Sequence, residues 1–292
     1  MLTLKTSDLS PVEIQGLLNC AVAPRPICFA STIDKEGNIN LSPFSYFNIF
    51  SVNPPVCVFS PSRRVRDNTT KHTLENIQEV SECVINIVNY DMVQQASLAS
   101  VEYPKGINEF VKAGFTMLPS DLVRPPRVAE SPVQLECVVK DIISLGESAG
   151  AGNLVIAEVK LIHISESVLG DNGKIDQRKM DHVARLGGDW YCRVTNDNLF
   201  EVAKPVRTLG IGVDAIPFNI RNSKVLTGNN LGQLGNVEVL PALEDIEAYA
   251  ALAGVKELFD ADNSEMQIHL KAKHLLDEGK VDEAWKVLLL KS

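Results

Sequence analysis

Ile27-Cys28-Phe29-Ala30-Ser31-Thr32-Ile33 runs into Asp34-Lys35-Glu36-Gly37 and then into Asn38-Ile39-Asn40-Leu41-Ser42. The first run is apolar and rich in β-formers. The next four residues carry turn chemistry, and the last run returns. This is the pattern of an antiparallel hairpin. Working outward, Pro54-Pro55 opens a strand over 56–59, and Cys83 to Val88 forms another. Residues 133–145 alternate apolar and polar side chains, a glycine-rich turn covers 146–152, and 153–164 forms the partner strand. Turns, rather than regular helical crossovers, join these strands. The expected fold is therefore mainly β with helices: an antiparallel split β-barrel with helical decorations and a C-terminal helical extension, not a doubly wound sheet.

Helices are expected over 12–20, over 74–80 with Thr73 as cap, and over 92–99 with Asp91 as cap. Residues 101–132 read as mostly loop, punctuated by Tyr103-Pro104-Lys105-Gly106 and Arg124-Pro125-Pro126-Arg127. Residues 200–241 show little periodicity, and Thr227-Gly228-Asn229-Asn230 and Leu234-Gly235-Asn236 read as turns. Helical patterning resumes over 243–260, 265–276 and 281–290. The chain is accordingly expected to divide into 1–199, a loop-rich stretch 200–241, and a helical segment 242–292. The last segment reads either as a cap on the barrel or as a hairpin that docks a partner.

The 292 residues include 28 Lys and Arg against 37 Asp and Glu, a formal charge of −9, and 45% are hydrophobic. This composition excludes a disordered or collagen-like chain. The acidic balance argues against general binding to nucleic acid or anionic lipid. No stretch approaches the length of a membrane span, and the N-terminal residues lack the pattern of a signal peptide. The six cysteines form no C-x-x-C and mostly sit inside apolar runs, so free thiols and a cytoplasmic location are expected. No His/Cys/Asp/Glu set has metal-ligand spacing, so no metal site is expected, and His163 and His182 read as structural.

The densest chemistry lies in 24–76. Arg63, Arg64, Arg66 and Lys71 lie close to the start of a helix, and cations beside free helix N–H groups suit a phosphate. Solvated surface charge is the plain alternative for Lys71 and Arg63. Asn40 and Ser45 could equally satisfy turn backbone. Phe44, Tyr46 and Phe47 suit a core as well as a ligand wall.

Across this region the chain resembles the flavin reductase-like family of FMN-binding split barrels, flavoredoxin type. The residues that carry the resemblance are Pro24-Arg25-Pro26, Ser31-Thr32 with Asp34 and Gly37, Asn40 to Asn48, Pro54-Pro55, Ser60-Pro61, and Lys71 with Thr73, Asn76 and Ile77. Further matches are Tyr103 to Gly106, Pro125 to Val133, and Arg185-Leu186-Gly187-Gly188. His72 stands where the family pattern has Asp. The resemblance implies FMN as cofactor, with Asn40, Leu41, Ser42, Pro43, Phe44 and Ser45 wrapping the ring system and ribityl chain. It places Ser60, Lys71 and Thr73 near the phosphate, Ser31 and Thr32 on the strand facing the flavin, and Arg185 near a flavin edge. It implies a homodimer and a flavin reductase that uses NAD(P)H, with a monooxygenase or other acceptor protein as possible partner. The alternative is an electron carrier that holds FMN and passes electrons to a protein without NAD(P)H. No catalytic side chain is assigned, because the flavin carries the chemistry in either reading.

Overall fold

The computed structural model describes residues 1–205, 208–251 and 264–290, apart from the side chain of Ser264. The chain divides into two compact units, Met1–Leu199 and Phe200–Ser292.

The first unit opens with α1 (Pro11–Ala21), whose start is fixed by a Ser10/Glu13 capping box. Six strands and a helix follow: β1 (Arg25–Pro26), β2 (Cys28–Ile33), β3 (Ile39–Phe44), β4 (Phe47–Val52), β5 (Pro55–Phe59), α2 (His72–Glu79) and β6 (Glu82–Ile87). Then come α3 (Val93–Leu98), α4 (Glu109–Ala113), β7 (Met117–Leu118), β8 (Arg127–Val128), β9 (Val133–Ser144) and β10 (Asn153–Ile164). β11 (Val183–Arg185) and β12 (Tyr191–Arg193) finish the unit.

The main sheet has seven strands in the order β3-β2-β6-β9-β10-β5-β4, and every pair is antiparallel. β3 and β4 occupy its opposite ends, although only Ser45 and Tyr46 separate them in sequence. Six steps of about 4.8 Å would hold the ends of a flat sheet roughly 29 Å apart. The three Cα–Cα steps from Phe44 to Phe47 span at most about 11 Å. The sheet therefore rolls up, and the rings of Phe44 on β3 and Phe59 on β5 meet at 5.1 Å between centroids. One cluster inside the roll gathers Cys28, Phe44, Phe59, Ile85, Cys137 and Val155 from six of the strands. Among the described residues no ladder closes β3 onto β4, so the roll is not a hydrogen-bonded closed barrel. A second cluster on the other face packs Phe29 and Leu41 against Met92, Ala96 and Phe110, which covers that face with α3 and α4.

Several elements depart from the sequence reading. Helix α2 begins two residues earlier than expected, with Lys71 in the cap position and no side-chain cap, so Thr73 sits inside the first turn. Asp91 lies in a 3-10 turn (Tyr90–Met92) ahead of α3 and makes no cap bond. β4 is an edge strand with Ile49, Phe50 and Val52 exposed, so it lacks the alternating burial that marks a strand. The stretch 101–132 contains α4, capped by Asn108, and the β7–β8 ribbon. Both are too short for periodicity to reveal.

In the second unit, Thr227 starts a helix rather than a turn. It forms a capping box with Asn230 at the head of α6 (Gly228–Gly235), after the short α5 (Phe218–Arg221). Glycine masks this helix in the sequence because it weakens helical preference. α7 (Leu243–Ala250), α8 (Ser264–Asp277) and α9 (Val281–Leu289) follow, and residues 252–260 of the first expected terminal helix lie outside the described residues. Ile216, Ile220 and Leu234 share one core with Leu275, Trp285 and Leu288, so the loop-rich stretch and the terminal helices pack together. Leu270 and His274 on α8 are exposed.

Candidate functional site

Helix α2 lies across β2 and β3, and a buried polar network fastens it there. The Thr73 hydroxyl donates to Asn40 Oδ1 at 2.7 Å, and Asn40 Nδ2 donates to Glu109 Oε1 at 2.9 Å. The backbone N–H of Leu41 donates to the other Glu109 oxygen at 2.9 Å. Asn76 Nδ2 donates to Thr32 Oγ1 at 3.2 Å, and the Ser42 hydroxyl makes a long contact of 3.4 Å to Asn40 Oδ1. Ser31 donates its hydroxyl to the Pro126 carbonyl. Ser31, Thr32, Asn40, Thr73, Asn76 and Glu109 are all buried. Burial pushes the Glu109 carboxyl above its ordinary range, against the opposing pull of the Leu41 N–H and the Asn40 amide. These side chains hold one another, and the surface they offer a ligand is the backbone they fix. Leu41 directs its N–H into Glu109, and Pro43 has none to give.

The basic loop beside α2 is largely self-satisfied. Arg63 holds Asn68 through its side-chain oxygen at 2.7 Å and its carbonyl at 2.6 Å. Arg64 donates to Thr69 Oγ1 at 2.9 Å and to the Thr70 carbonyl. Its Nε lies 3.1 Å from Glu102 Oε1, outside hydrogen-bond geometry. Arg66 pairs with Asp67 and Glu102. Ser60 Oγ accepts the Asn153 N–H at 3.2 Å. A Cβ at position 152 would come within 2.8 Å of that oxygen, so Gly152 permits the approach. Lys71 differs from the arginines: among the described residues it has no hydrogen-bond or ion-pair partner for its amine. It is half-buried at the start of α2, and burial, then the Arg64 charge, lower its pKa below the usual lysine range.

Pro43, Phe44, Ser45 and Arg185 come together elsewhere. They line a cavity of about 160 Å³ together with Ser97 and Tyr191. Arg185 lies opposite Arg25 in the β1–β11 pairing and stacks 4.4 Å above the Tyr191 ring. Its Nη2 donates to the Gly188 carbonyl at 2.7 Å. Arg25 is buried and, among the described residues, has no carboxylate partner. It donates to the carbonyls of Asn19 (2.7 Å) and Val22 (3.1 Å) at the end of α1, and to that of Leu186 (3.0 Å). Its Nε reaches Ser45 Oγ at 3.4 Å. It ties α1, the β3–β4 corner and the β11–β12 turn into one frame. A side chain at Gly187 would strike Cys20 Sγ at 2.2 Å, so α1 and that turn close only over glycine.

The expected residues thus fall into two groups. Thr32, Asn40, Leu41, Ser42 and Thr73 belong to the network under α2, with Lys71 and Ser60 beside the basic loop and Ser31 bonded instead to the Pro126 carbonyl. Pro43, Phe44, Ser45 and Arg185 form the cavity wall. Sequence reasoning did not single out Glu109, which lay in an expected loop, or the bridging role of Arg25 inside Pro24-Arg25-Pro26. It also gave no hint that Asp121, Glu136 and His163 converge, with ligand atoms within 4.8 Å of one another. The Glu136 carboxylate already accepts from the N–H groups of Asp121 (2.8 Å), Leu122 (2.6 Å) and Val123 (3.2 Å) and from His163 Nε2 (2.7 Å). The cluster is a clamp on the 119–127 loop.

A family model described as flavin reductase like domain matches residues 21–181, more than half of the chain. A protein of Halalkalibacterium halodurans is 36% identical over 190 residues, spanning 64% of this chain and 90% of the relative. Nitrilotriacetate monooxygenase component B from Bacillus cereus superposes with a TM-score of 0.64 at 29% identity, covering 69% of this chain and 98% of that one. Flavoredoxin of Desulfovibrio vulgaris (Miyazaki F) shares the fold with a TM-score of 0.53 at 23% identity, covering 64% of this chain and 93% of that one. The rolled antiparallel sheet with its polar seat under α2 is the flavin reductase-like type of fold. The chain belongs to the flavin reductase-like family. Among the described residues no helix is long and apolar enough to cross a membrane.

Proposed function

We propose that this protein is an FMN-binding split-barrel flavoprotein and an NAD(P)H-dependent flavin reductase. The observation that carries the reading is Lys71: a half-buried ammonium with no protein partner among the described residues, in the cap position of a helix that has no side-chain cap. Burying an unpaired cation is unfavourable, and an incoming phosphate removes that penalty. Its depressed pKa has the sign expected for a cation awaiting an anion. Lys71 holds the phosphate, with Ser60 beside it. The β3 backbone, fixed by the Thr73–Asn40–Glu109 network, presents Asn40 to Ser45 to the ribityl chain and ring. Arg185 stands near a ring edge, where a cation favours an anionic reduced ring.

The flavin, when bound, supplies acceptance of a hydride from nicotinamide. The chain's part is to bind, orient and hold charge, so the proposal names no acid–base side chain. The Bacillus cereus relative's description as a monooxygenase component supports an acceptor protein as partner. A homodimer also fits: α1 has no buried residue, and Phe50 and Val52 on edge strand β4 are 70% and 86% exposed. A second copy covering α1 and β4 is the occupant we propose, and light scattering would read a mass of two chains.

The test is a visible spectrum of the purified protein followed by anaerobic addition of NADH or NADPH. A bound-flavin spectrum bleached by either nucleotide supports the reductase. Bound flavin that neither bleaches makes the protein a carrier of the flavoredoxin kind. Failure to bind added FMN or FAD overturns the reading.

A further inference from the structure

A second cavity, of about 610 Å³, shares Ser97, Ser100, Arg185 and Tyr191 with the 160 Å³ cavity beside Pro43 to Ser45. These four residues form a wall common to both cavities, and Arg185 is one of them. Tyr90, Gln94 and Arg193 extend the wall of the larger one. The two arginines on this wall differ in their pairing. Arg193 lies 3.7 Å over the Tyr90 ring and grips both oxygens of Asp181, each at 2.7 Å, so its charge is neutralised. Arg185 spends Nη2 on the Gly188 carbonyl and has no carboxylate partner among the described residues. The one acid that lines the cleft, Asp189, is exposed and makes no ion pair with it.

We propose that this cleft is the second-substrate site, and that it takes a planar ring carrying an anionic group, with the anion read by Arg185. A flat guanidinium with unspent donors matches the paired oxygens of a carboxylate or phosphate better than any neutral group. Two tyrosines, each stacked under an arginine, give the ring an aromatic wall, and Ser97, Ser100 and Gln94 supply adaptable polar contacts. The inference rests on the flavin reading above, which puts the smaller cavity against the cofactor. It goes further by naming what lies beside the cofactor. Two sources share the chemistry: a nicotinamide nucleotide, with its ring and phosphates, and a small aromatic carboxylate acting as electron acceptor.

The test is calorimetric titration of the full chain with benzoate and with benzamide, its neutral counterpart, with and without saturating FMN. Benzoate binds about tenfold tighter than benzamide, as expected for one charge-assisted contact. Arg185→Met brings the ratio close to one, and Arg185→Lys keeps part of it, because the charge remains and the fork is lost. Asp189→Asn tightens benzoate about two- to threefold and leaves benzamide unchanged, because it removes like charge from the cleft. Equal affinities in the native protein, or a ratio that survives Arg185→Met, overturn the proposal. Failure of the native protein to bind FMN would show itself in the same titrations as a separate failure of the cofactor reading. Benzoate that competes with NADH in reducing bound flavin assigns the cleft to the nucleotide. Benzoate that binds without competing assigns it to an aromatic acceptor.

Discussion

The two units of this chain bury different kinds of side chain. Of the fifteen buried polar or charged residues in the described structure, thirteen lie in Met1–Leu199, and Phe200–Ser292 holds only Asn230 and His269. The second unit closes around Trp285, Leu234, Ile220 and Leu276, an apolar helix core of the ordinary kind. The first has such cores too, yet it also seats Glu109, Asn40, Thr73 and Thr32 under one helix. Buried polar groups stabilise a fold only when fully paired, and a neighbouring apolar solution is often as stable. Their concentration around α2 and β3 points to work other than stability: holding an edge strand and a helix start in one position. On this contrast, damage to the second unit should register in stability, and damage to the first should register in binding.

The largest expected effect tests the second unit. Trp285 is fully buried and donates its indole N–H to the Leu234 carbonyl at 3.1 Å. Trp285→Ala is expected to destabilise that unit by about 3–5 kcal/mol. Circular dichroism should show early loss of helix, with FMN affinity retained. Affinity that collapses with the helices would break the contrast.

Next is Lys71→Met, which removes the unpartnered cation without adding polar surface. Losing one charge-assisted contact of about 1.5–3 kcal/mol weakens FMN binding roughly ten- to a hundredfold. Fluorescence titration measures it, and an unchanged dissociation constant would remove Lys71 from the phosphate site. Thr73→Val is smaller and mixed in character. It leaves Asn40 Oδ1 with only the 3.4 Å contact from Ser42, at a stability cost of about 1–3 kcal/mol. Urea unfolding of the first unit reads that cost, and FMN affinity should fall with it because β3 loses its brace.

The rolled sheet was legible because its evidence is local. The Ile27–Ser42 hairpin and the β9–β10 pair announce themselves by alternation and turn chemistry, and the observed β10 spans Asn153–Ile164 as the pattern predicts. The roll itself follows from strand order, which one sequence does not state. β4 escaped because Ile49, Phe50 and Val52 are exposed on an edge strand, so its apolar residues do not alternate with polar ones. Thr73 was read as a cap because Thr favours caps, but its hydroxyl is held by Asn40, thirty-three positions away. Glu109 and Arg25 escaped for the same reason: their partners are distant in sequence, and a lone acid in a loop or a lone arginine between prolines carries no periodic signal. Lys71 was named from its motif, but its lack of a partner is visible only in three dimensions.

The smallest effect concerns His269, the one titratable group buried in the second unit's described core. Burial lowers its pKa below the usual 6.5, and the charge of Glu265 opposes this only in part. Its Nδ1 lies 2.8 Å from the Ser223 hydroxyl, which it can accept while neutral. The folded state therefore holds a neutral imidazole, and the unfolded chain takes up a proton near the ordinary value. The unit has its full stability above about pH 6.5 and loses it as pH falls below that, by at most about 1.4 kcal/mol per pH unit, levelling off below the folded-state value. His269→Gln keeps a hydrogen-bonding side chain and should flatten this slope. Burial lowers the pKa of His182 in the first unit as well, against the opposing charge of Asp181, so a whole-chain signal would blend the two. The chain has two tryptophans, and Trp190 is exposed in the first unit while Trp285 is buried in the second. Trp285 fluorescence in a Trp190→Phe background isolates the second unit. If its pH slope persists after His269→Gln, the proton is taken up elsewhere, and the second unit is less apolar in function than in composition.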